Sequence, residues 1–157
     1  MLLPNPLLDL MQTPLPSKRV QRKKKYHPSK EEVTDVYQLL NTHIFDGRLT
    51  IPSINLRNLN EWGLCIGFDV PRHYCKIKLN YRFFCAQWFI MILAHEMAHQ
   101  VQWELHGPKR VAENRVPLLS HGPTFYEFKA KMLEYGIPLK SFYCDKKWFK
   151  TQDLLKL

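Results

Sequence analysis

The stretch that decides the fold reads FFCAQWFIMILAHEMAH and occupies residues 83–99. From Phe83 to Ala94 its residues are apolar, with the single exception of Gln87. The run is too short to span a bilayer and is typical of a helix buried in a protein core. We therefore predict a helix from about residue 84 to residue 105, whose first half is buried.

The buried run leads directly into His95, Glu96 and His99, which form the pattern H-E-x-x-H. Two histidines four residues apart lie one helical turn apart on one face, so both imidazoles can reach a single ion. Glu96 lies about 100° further around the helix, where its carboxylate can approach a water molecule without binding the metal. Zinc lowers the pKa of its bound water to about 7, and a carboxylate can accept the proton as that water attacks a carbonyl.

A chance occurrence of the motif would place these three side chains on a polar surface. Polar groups at the end of a buried run are costly unless something satisfies them, so the context favours a metal site. The sequence therefore predicts Zn²⁺ as the cofactor, His95 and His99 as ligands, and Glu96 as the catalytic base.

A catalytic zinc site needs a third protein ligand and one open position. His121 is the preferred candidate, because it precedes Gly122-Pro123 at the start of a predicted helix, where a turn can aim its ring. Glu113 remains open as a ligand from a later segment. Glu104 lies too near the end of the same helix, and His106 is interpreted as a cation at the helix C-terminus, where the dipole favours it.

The rest of the pattern predicts an α+β domain. A first helix, from about 30 to 44, begins at a capping box formed by Ser29 and Glu32. Three short segments then favour strands of a small antiparallel sheet, at residues 54–56, 64–68 and 76–79. A third helix is predicted from Pro123 to Gly136. About three helices with a three-stranded sheet are the components of a minimal zincin-like domain.

The N-terminal segment, residues 1–28, is rich in proline and then in lysine and arginine. We expect an extended arm that is mobile unless a partner orders it. Seven of the 23 Lys and Arg residues lie within residues 18–30, which contain no acid, so the remaining chain is nearly neutral. Such a run gains affinity for phosphate by releasing counterions, although a solvated tail without a partner is the alternative. The candidate DNA contacts are Lys18, Arg19, Arg22, Lys23, Lys24 and Lys25.

The C-terminal tail, residues 140–157, mixes aromatic residues with lysines. These aromatic side chains are candidates for stacking on single-stranded bases, although packing back on the domain is the commoner role of such residues. The four cysteines of the chain have no C-x-x-C spacing, so we expect reduced thiols rather than a zinc ribbon.

The compartment is predicted from the N-terminus. Prolines at positions 4, 6, 14 and 16 would break a signal-peptide helix, and no basic region precedes the apolar residues. We therefore expect an intracellular monomer with no membrane contact, either cytoplasmic or, if it associates with DNA, in the nucleoid or nucleus.

The combination of motifs resembles the SprT-like (Spartan-type) metalloprotease family, which pairs H-E-x-x-H with a downstream H-G-x-x-F. Here the second motif is His121-Gly-Pro-Thr-Phe125. Three earlier segments are also similar: Phe45-Asp-Gly-Arg-Leu49, Trp62-Gly-Leu-Cys65 and Ile77-Lys-Leu-Asn80. The resemblance covers residues 29–139, which we therefore expect to form the metalloprotease domain.

The resemblance implies that His95, His99 and His121 bind zinc and that Glu96 is the base. It also implies proteolysis of protein substrates, which in Spartan-type members are proteins crosslinked to DNA. The chain departs from the family in a longer connection from His99 to His121, and in the absence of a four-cysteine zinc ribbon. The alternative function is a non-catalytic, zinc-stabilised nucleic-acid-binding module, which a fourth protein ligand would favour and Glu96 argues against.

Overall fold

The computed structural model describes residues 4–68, 74–106 and 121–155. Its elements, in chain order, are α1 (Pro6–Gln12), α2 (Lys18–Arg22), α3 (Lys30–His43), β1 (Ser53–Arg57), β2 (Gly63–Phe68), β3 (Tyr74–Asn80), α4 (Ala86–Val101), a π-helical turn (Gln102–His106), α5 (Lys129–Glu134) and α6 (Asp145–Leu155). The fold class is α+β, as predicted, although the described residues form six α-helices rather than about three. The connection from 107 to 120, with Glu113, lies outside the described residues.

The three predicted strands form one sheet in the order β1-β3-β2. Strands β2 and β3 are antiparallel, with Cys65 opposite Ile77, whereas β1 and β3 are parallel, with Ile54 opposite Ile77. The prediction of an antiparallel sheet is therefore wrong for the β1–β3 pair. Alternation of apolar and polar residues identifies a strand but not its partner. Strand β3 lies at the centre, where Cys75, Ile77 and Leu79 are buried on one face.

Helix α3 holds one side of the core and begins where the capping box predicted. The Ser29 hydroxyl accepts a hydrogen bond from the amide of Glu32 at 3.1 Å. The carboxylate of Glu32 accepts another from the Tyr26 hydroxyl at 2.8 Å, which fixes the approach of the preceding chain. The apolar face that follows is buried at Val33, Val36, Tyr37 and Leu40.

Helix α4 runs through the middle of the domain. Every residue from Gln87 to Ala98 is buried, and the helix contacts β2, β3, α1 and α3. A helix that is apolar around its whole circumference is stable only when it is enclosed in this way. The helix was predicted to continue to about residue 105, and it does so as the π-helical turn Gln102–His106. Turns of this type are often found beside functional sites.

Residues 4–28 fold onto the domain, so the prediction of an extended arm is wrong. Pro6 occupies the first position of α1, which tolerates proline because the amide there has no intrahelical acceptor. Leu7, Leu10 and Met11 follow at helical spacing and pack against the core, where Leu7 is completely buried. The prolines therefore bound a short helix instead of preventing one, and the leucine spacing supplies the burial that holds it.

The third predicted helix begins later than expected. Residues 122–128 form consecutive turns, and α5 begins at Lys129. Its predicted end is confirmed, because Gly136 adopts a φ of 73°. The amides of Gly136 and Ile137 each donate to carbonyls in the last turn of α5 at 3.0 Å, which is the Schellman arrangement.

The C-terminal tail forms helix α6 and packs against the domain. Phe149 is 8% exposed and lies edge-on to Phe84, with ring centroids 5.0 Å apart. The indole N–H of Trp148 donates to the side-chain oxygen of Gln21 at 3.0 Å. Helices α2 and α6 therefore meet beside the start of α4. None of the described helices is both long enough and apolar enough to cross a membrane.

Candidate active site

Three histidines from two separate parts of the chain converge at one place. His95 and His99 lie one turn apart on α4, and His121 lies immediately before the turns of residues 122–128. One ring nitrogen from each histidine lies within 4.8 Å of the other two. Within the described ranges, no other group of three or more His, Cys, Asp and Glu side chains meets this condition. The structure therefore brings together the three predicted ligands.

Two of the imidazoles are oriented by hydrogen bonds on the side away from the cluster. The Nδ1 atom of His95 is 3.0 Å from the carbonyl oxygen of Lys140. The Nδ1 atom of His99 is 2.9 Å from the side-chain oxygen of Gln102. Because both partners are acceptors, Nδ1 carries the proton and Nε2 presents its lone pair to the cluster. This donor set suits a zinc ion held by neutral imidazoles.

The electrostatics of the cluster also favour neutral imidazoles. Burial lowers the pKa of His95, and the neighbouring rings of His99 and His121 lower it further, to about 3. Burial likewise lowers the pKa values of His99 and His121. Since only the neutral ring offers a lone pair, the site is ready for a cation at neutral pH without first losing protons.

The ring of Phe125 supports all three histidines. Its centroid lies 5.0 Å from that of His95, 4.6 Å from that of His99 and 4.8 Å from that of His121. Phe125 is 1% exposed, and its amide donates to the carbonyl of Gly122 at 3.0 Å. The downstream H-G-x-x-F motif thus contributes both the third histidine of the cluster and the apolar residue that packs against all three rings.

Glu96 lies in the same cleft as the histidines and is 5% exposed. Burial raises the pKa of its carboxyl group to about 8, and a divalent cation held by the histidines would lower it again. The edge strand approaches this side chain closely at Gly63. A Cβ atom at that position would lie 3.0 Å from Cγ and from Oε2 of Glu96, so glycine leaves the room that the carboxylate needs.

The cleft has a volume of about 490 Å³. It is lined by strand β2, by α4 with the π-helical turn, and by His121 and Ser141. Trp103, from the π-helical turn, packs on the strand at Gly67, where a Cβ atom would come within 2.4 Å of the indole. Its Nε1 donates to the carbonyl of Phe68 at 3.0 Å, which fixes the end of the strand against the turn.

The other proposed ligands are placed differently. The ring of His106 is 2.8 Å from a carboxylate oxygen of Glu127, outside the histidine cluster. The carboxylate of Glu104 accepts from the amide of Thr50 and from the side chain of Gln100, each at 2.8 Å. Both groups therefore have structural roles, and Glu113 lies outside the described residues.

The six basic residues proposed as DNA contacts lie on and just after α2, and none of them lines the cleft of the histidines. Two of them pack over aromatic rings. The guanidinium of Arg22 is 4.7 Å from the ring centroid of Phe149, and Nζ of Lys24 is 5.5 Å from that of Trp62. Among the C-terminal aromatic residues, Phe142 is 69% exposed, whereas Phe149 is used in packing.

Several contributions to the site were not predicted. The hydrogen-bond acceptors of the histidines are the side chain of Gln102 and the carbonyl of Lys140. Their positions depend on the tertiary structure, so no sequence pattern predicts them. The close approach at Gly63 and Gly67 does have a sequence pattern, because glycines inside a strand indicate that another group lies near the backbone.

The fold and the site together define a class of protein, an α+β domain whose central helix contributes two histidines and a buried glutamate to a three-histidine metal site. The pattern of the SprT-like family matches residues 33–141. Because the match covers most of the chain, the protein belongs to the SprT-like family, a family of domains of the zinc metalloprotease type. A search of curated proteins found no match to the chain.

Proposed function

We propose that the protein is a zinc-dependent metallopeptidase that hydrolyses peptide bonds of protein substrates. The observation that carries this proposal is the presence of Glu96 in the same cleft as the three converging histidines. A site that only stabilises a fold has four protein ligands and no need of a buried carboxylate. Three histidines leave one position for water or substrate, which is the arrangement of a catalytic zinc site.

Zinc held by His95, His99 and His121 would supply Lewis-acid activation of a water molecule and of the substrate carbonyl. Glu96 accepts a proton from that water as its oxygen bonds to the carbonyl carbon. When the C–N bond breaks, the protonated carboxyl group returns this proton to the leaving amine. The raised pKa of Glu96 suits the second transfer, and the ionised form favoured by a nearby cation suits the first.

Strand β2 offers a binding surface for an extended substrate. It is one of the two outer strands in the order β1-β3-β2, and Gly63, Leu64, Cys65 and Gly67 line the cleft beside the histidines. A peptide that pairs with this strand is recognised through its backbone, which gives affinity with little dependence on side chains. We therefore propose unfolded or extended segments of proteins as the substrate class.

A second part of the proposal concerns DNA. Helix α2 and the residues just after it contain six positive charges within residues 18–25. Gln21 joins this helix to α6 through Gln152 and Trp148, and α6 adds the exposed Lys146, Lys147 and Lys150. Two helices held side by side, each with exposed positive side chains, can neutralise several phosphates at once. We propose that this surface binds DNA and that the substrates are proteins associated with DNA or crosslinked to it.

The test of catalysis is cleavage of a basic test protein by the zinc-loaded full chain, beside the Glu96→Gln variant. Both proteins should bind one zinc ion, and only the wild type should cleave. Equal inactivity of the two zinc-bound proteins would contradict the peptidase and favour the non-catalytic, zinc-stabilised nucleic-acid-binding module. Addition of single-stranded DNA to the same assay shows whether DNA stimulates cleavage.

The DNA surface is tested with the double variant Arg19→Glu/Lys23→Glu, measured by fluorescence anisotropy at several salt concentrations. It should bind DNA more weakly, with a shallower dependence of affinity on salt, because fewer counterions are released. The matched control is Lys129→Glu/Lys131→Glu on α5, which changes the charge equally. If both double variants lose the same affinity, net charge rather than this surface is responsible.

A further inference from the structure

Gln102 connects the two parts of the chain that supply the histidines. Its side-chain oxygen is 2.9 Å from Nδ1 of His99, and its side-chain nitrogen donates to the hydroxyl oxygen of Thr124 at 3.0 Å. Gln102 is 4% exposed and is the first residue of the π-helical turn. Thr124 belongs to the turns that follow His121. One side chain therefore contacts a ligand on α4 and the segment that carries the third ligand.

The two contacts have different consequences. The contact with His99 fixes the tautomer, since an acceptor at Nδ1 leaves Nε2 as the nitrogen that can bind an ion. The contact with Thr124 fixes the distance between α4 and the turns of residues 122–128. Phe125, the residue after Thr124, packs against His99 with ring centroids 4.6 Å apart, so the polar link and the apolar contact lie next to each other.

We propose that Gln102 is a positioning residue that sets the metal affinity of this site by coupling the orientation of His99 to the position of His121. This inference rests on the metal site of the proposed function, although it does not require that the site be catalytic. The proposal concerns geometry. Without the link, each histidine stays on its own segment of the chain, but the three ring nitrogens no longer converge on one point where an ion can bind.

The test is the zinc dissociation constant of the full chain, measured by competition with a chromophoric chelator. Gln102→Leu should weaken zinc binding by about 10- to 100-fold, the range found when hydrogen-bond partners of ligands are removed. Gln102→Glu should stay close to wild type, because one carboxylate oxygen accepts from His99 and the other accepts from the Thr124 hydroxyl. Thr124→Val breaks the link from its other end and should also weaken binding.

The matched control is Gln100→Leu. Gln100 is also a glutamine and is completely buried, but it lies on α4 and contacts Tyr37, Thr50 and Glu104 rather than the metal site. Gln100→Leu should lower the melting temperature of the metal-free chain and leave zinc affinity unchanged. If Gln102→Leu fails to fold, Thr124→Val and Gln102→Glu still decide the matter.

Each outcome bears on a distinct claim. Wild-type affinity in Gln102→Leu and Thr124→Val, or an equal loss of affinity in Gln100→Leu, would overturn the role of Gln102. Tight zinc binding with no cleavage would contradict the proposed peptidase activity but would not affect the proposed role of Gln102. If the wild-type chain binds no zinc, both proposals fail. Absorption of the cobalt-substituted site gives a second readout, which should shift in Gln102→Leu and not in Gln100→Leu.

Discussion

The side chains of Gln21 and Gln152 hydrogen-bond each other at 2.7 Å, although 131 residues separate them in the sequence. Gln21 is completely buried. Its side chain also accepts from the indole of Trp148 at 3.0 Å and donates to the carbonyl of Pro16 at 2.7 Å. These contacts join the N-terminal segment to helix α6, so two regions that the sequence presents as independent tails stabilise each other.

Gln21→Leu should weaken the contact between the N-terminal segment and helix α6, which we call the junction. The substitution keeps much of the volume but leaves Nε1 of Trp148 without its acceptor and Oε1 of Gln152 without its donor. An unsatisfied buried polar group costs about 1–3 kcal/mol. We expect a lower melting temperature and faster tryptic cleavage in residues 18–25, detected by mass spectrometry. The control is Gln12→Leu at an exposed position. Equal cleavage rates in the two variants would show that the junction does not order the segment.

Phe125→Ala should disrupt the site by removing the ring that packs against all three histidines. Removal of a buried phenylalanine side chain costs about 3–5 kcal/mol, and here the cavity would open between the three histidine rings. We therefore expect a loss of both thermal stability and zinc affinity, measured by calorimetry and chelator competition. Phe142→Ala removes an exposed ring and should change stability by no more than about 0.5 kcal/mol. Unchanged zinc affinity in Phe125→Ala would contradict the supporting role.

Gly67→Ala should strain the contact between strand β2 and the π-helical turn. The new methyl group would lie within 2.4 Å of the Trp103 ring, and an overpacked site of this kind costs about 1–3 kcal/mol. Urea denaturation gives the measurement. The same substitution in a Trp103→Ala background should be nearly neutral, because the clash is removed. A similar loss of stability in both backgrounds would show that the clash with Trp103 is not the cause.

Metal-free Glu96→Gln should be more stable than the metal-free wild type at alkaline pH. Burial raises the pKa of Glu96 from 4.5 to about 8, so the folded chain holds a proton that the unfolded chain releases above pH 4.5. The stability contributed by this proton is complete below pH 4.5 and is lost as the pH rises towards 8. The wild type should therefore lose about 1.4 kcal/mol per pH unit across that window relative to the variant.

Denaturant titrations of both metal-free proteins between pH 5 and pH 9 would measure this difference. The two free energies of unfolding should differ least at pH 5 and diverge steadily to about pH 8. Parallel curves would show that the carboxyl group is better solvated than its burial indicates. Zinc should reduce the divergence, since a nearby cation stabilises the ionised carboxylate.

Helix α4 and the three strands could be predicted because their signals are local. The apolar run before His95 and the alternation around Ile77 follow from the periods of helix and strand. Pairing is not local, and this explains why β1 was assigned the wrong direction relative to β3. The convergence of His121 with His95 was predicted from motif and resemblance together, because the spacing alone left Glu113 open.

The N-terminal segment was predicted incorrectly for a physical reason. Its prolines and lysines are typical of an extended chain, and Leu7, Leu10 and Met11 bury their side chains only because α3 and α4 present apolar residues to them. Likewise, the buried position of Gln21 depends on the presence of α6. Where burial depends on a distant element, sequence pattern alone favours the solvated state.

A fragment cut to the limits of the family match would run from residue 33 to residue 141. It would retain every histidine of the site and Glu96, and sequence comparison alone would suggest that it is sufficient. It would also lack the Ser29 cap of α3, together with Leu7 and Phe149, both of which are buried in the core. We expect such a fragment to aggregate when expressed, because the loss of these residues exposes apolar side chains of α4 to solvent.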